Sequence, residues 1–259
     1  MNLKNQEAAI NELRLLAMGD RRSLLISGAD GVGKTHLAHE YAKLLNCINF
    51  VSVEPKVADI REAIEASYGR VDKVVLCIEN LDFGVIAASY VLLKFLEEPP
   101  PYIYVVVTCR NLQAIPDTII SRSAVVTVGA PTRDDLHIYA SHTYADRYLD
   151  LETSPLWPCF KTFADIDTAI GLTAAQLKYI IELPDALMKT DSVATLMWKL
   201  QKFEDGSNVP VELVLRYIMC KDNLELRQIA YECLQELASG RVAAHASVAK
   251  FLFDYKYAI

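Results

Sequence analysis

A glycine-rich segment near the N-terminus has the residues and spacing of a phosphate-binding loop. It fits the pattern G-x-x-x-x-G-K-[ST] over Gly28-Ala29-Asp30-Gly31-Val32-Gly33-Lys34-Thr35. The apolar run Leu24–Ile26 precedes it as a strand candidate, and a helical pattern that begins at His36 follows. Glycines let backbone N–H groups turn inward around a β-phosphate, and the helix N-terminus adds its positive dipole end.

The side chains of this loop predict a nucleoside triphosphate with its metal as the ligand. Lys34 is expected to reach the β- and γ-phosphates, and the Thr35 hydroxyl is expected to bind Mg²⁺. We therefore predict that residues 28–35, together with His36, bind ATP and Mg²⁺.

The elements that must position this loop alternate between apolar strands and helical patterns, which is typical of an α/β fold with a parallel sheet. The predicted strands are rich in Val and Ile: Leu24–Ser27, Phe50–Val53, Val74–Ile78, Tyr104–Thr108 and Ala124–Val128. The predicted helices between and before them are Gln6–Ala17, Thr35–Leu45, Val57–Tyr68 and Val85–Leu96. The strands are apolar on both faces, which favours a five-stranded parallel sheet covered by helices.

After Pro131 strand signals largely vanish and helical patterns take over. Thr132–Asp135 has the pattern of a helix N-terminus. The later helical patterns are Ala174–Glu182, Asp191–Phe203, Val211–Cys220, Asn223–Ala238 and Ala243–Phe253, with a polar linker at 204–208. We predict a nucleotide-binding domain over 1–131, a helical lid over 132–205 and a closing helical bundle over 206–259.

Composition narrows the possible partners. The net charge of −7 argues against a generally basic surface that coats nucleic acid, although a local basic groove needs only a few residues. The six cysteines are scattered without a C-x-x-C pattern, which favours reduced core thiols in a cytoplasmic protein and no zinc site. No apolar run has membrane-spanning length, so no membrane partner is expected.

Four further motifs accompany the phosphate loop in a fixed order along the chain. They are Leu3–Ala8, Val57–Glu62, the run Val91–Pro100 (VLLKFLEEPP) and Ser121-Arg122-Ser123. Together with the phosphate loop they resemble the clamp-loader branch of the AAA+ ATPases, especially the γ/τ and δ′ subunits of bacterial DNA polymerase III. The run at 91–100 is similar to that family's A-L-L-K-T-L-E-E-P-P signature, and Ser121-Arg122-Ser123 is similar to its S-R-C motif.

The resemblance implies a P-loop AAA+ domain followed by a helical lid and a C-terminal helical collar. It implies that Arg122 is a finger that reaches the γ-phosphate held by a neighbouring subunit, a role that suits the fixed, permanently charged guanidinium. It also implies a sliding clamp, other clamp-loader subunits and primer–template DNA as partners. Arg61 is then a candidate DNA contact, with an exposed helix charge as the equal alternative.

The chain departs from the family pattern where water is activated. Counted back from the Leu-Glu-Glu-Pro anchor, the acidic pair of the second motif falls on Glu79 and Asn80. Glu79 can serve the metal, whereas Asn80 carries no charge and is a poor general base. A shift by one residue places Glu79 in the catalytic position and leaves Ile78 at the metal position. Asp82 is a third carboxylate nearby, interpreted as a cap or turn residue.

Two other positions of the pattern are also altered, and one module is missing. The first sensor falls near Arg110, which either contacts the γ-phosphate itself or leaves this contact to Asn111. The lid has Gly171 but lacks the arginine of the second sensor, and the zinc module that the resemblance places after the phosphate-loop helix is missing.

These features predict a clamp-loader subunit that binds ATP and hydrolyses it slowly or only within an assembly. The alternatives are a catalytically silent stator like δ′, or another AAA+ DNA-associated ATPase such as a helicase loader. The compact chain suits a phage or plasmid replisome, which would place it in the host cytoplasm.

Overall fold

The computed structural model describes residues 4–84, 86–97, 99–189, 210–222 and 224–238. These residues fall into two compact units, Met1–Thr143 with Lys161–Ala164, and Tyr144–Phe160 with Asp165–Ile259. The predicted helices Asp191–Phe203 and Ala243–Phe253 and the linker at 204–208 lie outside the described residues. The three-domain division stays a prediction, because 206–259 is described only over 210–222 and 224–238.

The first unit is built on a five-stranded sheet. Its strands are β1 (Ser23–Ser27), β2 (Asn49–Val53), β3 (Val74–Ile78), β4 (Ile103–Cys109) and β5 (Ala124–Thr127). They lie in the order β2-β3-β4-β1-β5, and every pairing is parallel. The predicted parallel α/β sheet is confirmed.

Helices cover both faces of this sheet. They are α1 (Lys4–Ala17), α2 (Lys34–Leu44), α3 (Val57–Ser67), α4 (Ile86–Glu97) and α5 (Asp117–Ile120), and α6 (Arg133–Thr143) follows β5. One core lies between the sheet and α3 and α4, and a second core lies between the opposite face and α1 and α2. Because neighbouring residues of a strand point to opposite faces, Leu76 joins the first core and Cys77 the second.

The connection from α2 to β2 is short and closed by its own backbone. Asn46 has a φ of 53°, and its N–H donates to the carbonyl of Lys43 at 3.0 Å. The N–H of Cys47 donates to the carbonyl of Ala42 at 2.9 Å. These two bonds are the Schellman arrangement that ends a helix, and they leave Ile48 almost fully exposed (96%) before β2 begins.

The second unit is helical over its described residues. It contains α7 (Tyr148–Glu152), most of α8 (Phe163–Gly171), α9 (Ala174–Lys189), α10 (Val211–Met219) and α11 (Leu224–Ala238). Short 3₁₀ turns occur at Ala145–Arg147 and Trp157–Cys159. Among the described residues, no helix of either unit is long and apolar enough to cross a membrane.

Candidate nucleotide-binding site

The glycine-rich loop joins the carboxyl end of β1 to the first turn of α2. Gly31 and Gly33 have φ values of 73° and 94°, a region that residues with a side chain rarely adopt. A Cβ on Gly28 would lie 2.8 Å from the Val128 carbonyl oxygen. The glycines are therefore required by this backbone path. The path brings the first N–H groups of α2, which have no partner within the helix, to the sheet edge.

Lys34 lies inside the loop that it ends. Its Nζ donates to the carbonyls of Gly28 at 2.8 Å and Ala29 at 2.9 Å, and its side chain is only 7% exposed. Burial lowers the pKa of Lys34, while the charges of Asp30 and Asp82 act in the opposite direction. The ammonium group is thus held at the loop by carbonyl oxygens and nearby carboxylates.

Helix α1 contacts the phosphate loop through Gln6. The Gln6 side chain is buried, and its Nε2 donates to the carbonyl of Val32 at 3.1 Å. A Cβ on Gly33 would collide with the same Gln6 amide. Gln6 belongs to the motif Leu3–Ala8, of which Leu3 lies outside the described residues. Its contact with the loop is one that the motif itself did not predict.

The end of β3 carries the two residues of the altered acidic motif. The Ser52 hydroxyl on β2 donates to Glu79 Oε1 at 2.6 Å, which holds this carboxylate at the sheet edge. Asn80 follows with a φ of 48°, and its N–H donates to Thr108 Oγ1 at 2.9 Å. Ile78 is buried in the core and only 2% exposed, which favours the alignment that assigns the metal position to Glu79.

Parallel pairing sets these groups beside the end of β4. Ser27 pairs with Cys109, and Ile78 pairs with Val107, so the residues after each strand meet at one edge of the sheet. Arg110 extends over this edge: its Nη1 lies 3.3 Å from Asp30 Oδ2, and its Nε lies 3.5 Å from Asp82 Oδ2.

Asp82 is more than a turn residue. Its side chain is 4% exposed, and its Oδ2 accepts the backbone N–H groups of Arg110 at 3.2 Å and Asn111 at 3.4 Å. The sequence interpretation of Asp82 as a cap or turn residue missed this contact. It depends on the register between β3 and β4, which no local pattern indicates.

The other predicted site residues lie around this edge or away from it. Thr35 and His36 lie in the first turn of α2, and Arg61 is exposed on α3. Arg122 follows α5 and pairs with Glu97 of α4, with Nη2 2.8 Å from Oε1. Within the described ranges, no group of three or more His, Cys, Asp and Glu side chains is arranged to hold a metal.

Comparison with known proteins agrees with this geometry. The family model described as DNA polymerase III, delta subunit, matches residues 50–131. The chain is 25% identical over 162 residues to the DNA polymerase III subunit tau/gamma of Haemophilus influenzae, covering 51% of this chain and 24% of that protein. It is 23% identical over 225 residues to the subunit gamma of Buchnera aphidicola subsp. Acyrthosiphon pisum, covering 67% and 62%. The chain thus spans less than two thirds of either relative.

A solved structure shows the same fold. It is a DNA polymerase III, gamma subunit-related protein from Thermotoga maritima, with a TM-score of 0.61 and 15% sequence identity. The match covers 95% of this chain and 98% of that one. The resemblance expected from the motifs is confirmed. The strand order and the phosphate loop fit the α/β P-loop fold of AAA+ proteins, and the chain is similar to the clamp-loader subunits of bacterial DNA polymerase III.

Proposed function

We propose that this chain binds ATP with Mg²⁺ and acts as an ATPase subunit of a clamp loader. In that assembly several subunits open a sliding clamp and place it on primer–template DNA. The observation that carries the proposal is the phosphate loop, with two glycines at positive φ and Lys34 enclosed at the start of α2. The similarity to polymerase III γ/τ subunits supports the assembly and the partners.

The residues of the loop suit a triphosphate with its metal. Backbone N–H groups of 28–36 and the Lys34 ammonium would hold the phosphates, while the Thr35 hydroxyl and the Glu79 carboxylate would hold Mg²⁺. Oxygen donors of this kind are the ligands that Mg²⁺ prefers, and it usually takes only one or two from the protein. When bound, the metal would neutralise charge that develops on the phosphates.

Turnover is expected to be slow or dependent on assembly. Asn80 stands where the water-activating acid is expected, and an amide is a poor proton acceptor. Loss of a general base typically lowers the rate by about 10²–10⁴. The chain can therefore hold ATP for long periods, which suits a subunit that stays closed until the clamp and DNA are in place.

Arg122 is proposed to act on the nucleotide of a neighbouring subunit. In this chain it is about one third exposed (37%), pairs with Glu97 at 2.8 Å and donates to the carbonyl of Thr118 at 3.0 Å. An exposed ion pair of this kind is worth at most about 1 kcal/mol, so a neighbour's phosphate can displace Glu97. Arg61, exposed on α3, is proposed as a phosphate contact for DNA.

A second candidate function is a stator that binds ATP without turning it over, and Asn80 is the observation that favours it. In both cases we propose that the chain acts in DNA replication in the cytoplasm, which its similarity to DNA polymerase III subunits supports.

The test measures ATP binding and steady-state hydrolysis by the purified chain, alone and then with primed DNA and the cognate clamp. We expect Lys34→Ala to abolish binding, and Arg122→Ala to abolish the stimulated turnover while binding persists. Arg70→Ala is a matched control, because Arg70 also donates to the carbonyl four residues earlier. Binding without turnover under every condition would leave the stator, and binding unaffected by Lys34→Ala would overturn the proposal.

A further inference from the structure

The Asp30 carboxylate lies between two cations at the mouth of the phosphate loop. Its Oδ1 is 3.6 Å from Lys34 Nζ, and its Oδ2 is 3.3 Å from Arg110 Nη1. Asp30 itself is well exposed (62%), whereas Lys34 and Arg110 are only 7% and 29% exposed. An exposed, movable anion thus bridges two cations that the fold holds more tightly.

The side chain of Arg110 is held in place by Phe83 and Asp82. Its guanidinium carbon lies 3.3 Å from the centroid of the Phe83 ring, a close cation–π contact. Its Nε faces the buried carboxylate of Asp82 at 3.5 Å, and the same oxygen accepts its backbone N–H. The side chain is therefore aimed toward the phosphate loop before any ligand binds.

The side chain of Asn111 is engaged in a local turn. Its side-chain oxygen accepts the N–H of Gln113 at 3.0 Å and begins the 3₁₀ turn Leu112–Ala114. Arg110, by contrast, already pairs with Asp30 of the loop.

We propose that Asp30 competes with the terminal phosphate of ATP for the two cations expected to bind it, Lys34 and Arg110, and that Asp82 positions Arg110. The inference rests on the proposed function and adds a means of distinguishing ATP from ADP within one chain. A terminal phosphate carries more charge than a carboxylate and accepts more hydrogen bonds, so it displaces Asp30 from both cations. ADP lacks that group and leaves the Asp30–Arg110 pair in place.

The experiment measures the affinities for ADP and for the β,γ-methylene analogue of ATP, both with Mg²⁺, by isothermal titration calorimetry. We expect Asp30→Asn, which keeps the shape and removes the charge, to raise the analogue-to-ADP affinity ratio by about ten-fold. Arg110→Ala is expected to lower the ratio by about ten-fold or more with ADP affinity nearly unchanged. In the Arg110→Ala background, Asp30→Asn is expected to lose most of its effect.

Asp82→Asn tests positioning separately from structure. It is expected to lower the same ratio in the parent chain and to have little effect in the Arg110→Ala background, which a general loss of folding would not produce. Asp20→Asn, an exposed carboxylate after α1, is the control for charge alone.

The failures of the two proposals are distinguishable. A ratio that Asp30→Asn leaves unchanged, or changes equally with and without Arg110, would overturn the inference while nucleotide binding stands. If the parent chain shows no nucleotide binding that Lys34→Ala removes, the inference and the proposed function are both overturned.

Discussion

At the scale of single residues, Asn80 connects the altered acidic motif to the shape of the site. Its left-handed conformation, with φ of 48° and ψ of 54°, is one that Asn tolerates better than most residues. It turns the chain from β3 into the 3₁₀ turn Leu81–Phe83, which carries Asp82 and Phe83 to Arg110. Asn80 therefore suits the left-handed backbone of this turn, although its amide does not suit proton transfer.

Replacing Asn80 separates these two roles. We expect Asn80→Glu to raise ATP turnover in the assembled state by up to about 100-fold, because it supplies a proton acceptor. Asn80→Gln is the control: glutamine has the size of glutamate and causes the same backbone strain, but it carries no charge. This variant should hydrolyse ATP at the rate of the parent chain. Single-turnover hydrolysis with clamp and primed DNA measures both. Equal rates for the Glu and Gln variants would show that this position does not limit hydrolysis.

At the scale of elements, contiguous sequence patterns predicted the bounds of the strands well, but they did not predict how the strands pair. The bounds of β3 were predicted to the residue, and the other strands to within one residue at each end. The Thr132–Asp135 signature correctly indicated the start of α6. The helices around 145–171 were missed, since most are too short for a periodic pattern to form.

The residues of the candidate site also differ in how far the sequence predicted them. The phosphate loop is one continuous motif, so its residues were predictable. The contact of Ser52 with Glu79 joins groups 27 positions apart, and the contact of Asp82 with Arg110 joins groups 28 apart. Only the register of the parallel strands creates these contacts, and a single sequence does not display that register.

The N-terminal cap of α6 gives a testable prediction about the stability of a single element. The Thr132 N–H donates to Asp135 Oδ2 at 2.9 Å, and the Asp135 N–H donates to Thr132 Oγ1 at 3.2 Å, which is a capping box. Thr132→Ala should lower the free energy of unfolding by about 1 kcal/mol, while Thr132→Ser should retain most of it. Urea denaturation followed by circular dichroism measures the change, and equal losses in both variants would contradict the capping role.

At the scale of the whole molecule, the core of the first unit makes stability depend on alkaline pH. Burial raises the pKa of the Cys77 thiol from 9.0 to about 12 and that of Tyr41 from 10.0 to about 12. Both residues lie in the core between the sheet and α1 and α2. The folded chain therefore holds protons that the unfolded chain releases. The stabilisation that this supplies is complete below pH 9 and is lost as the pH rises toward 12.

Cys77→Val isolates this effect, because valine is of similar size and does not ionise. Between pH 9 and 10 the parent chain should lose up to about 1.4 kcal/mol of unfolding free energy per pH unit more than the variant. Lys34, whose pKa is lowered, contributes with the opposite sign, but it is common to both chains. Urea unfolding at several pH values measures the slopes, and parallel slopes would show that the thiol is not shielded from water.

The closed end of α2 also makes the chain tolerant of added length. The backbone N–H bonds of Asn46 and Cys47 complete the helix before the chain reaches Ile48, so an insertion after Ile48 would break neither of them. It would separate only the Cys47 thiol from the carbonyl of Asn49, to which it donates at 3.2 Å. The entropy of closing a longer loop rises slowly, by about 0.6 kcal/mol for each doubling of length. A fluorescent label or an affinity peptide could therefore be built in after Ile48, giving a reporter on assembly that leaves the phosphate loop and its two cations unchanged.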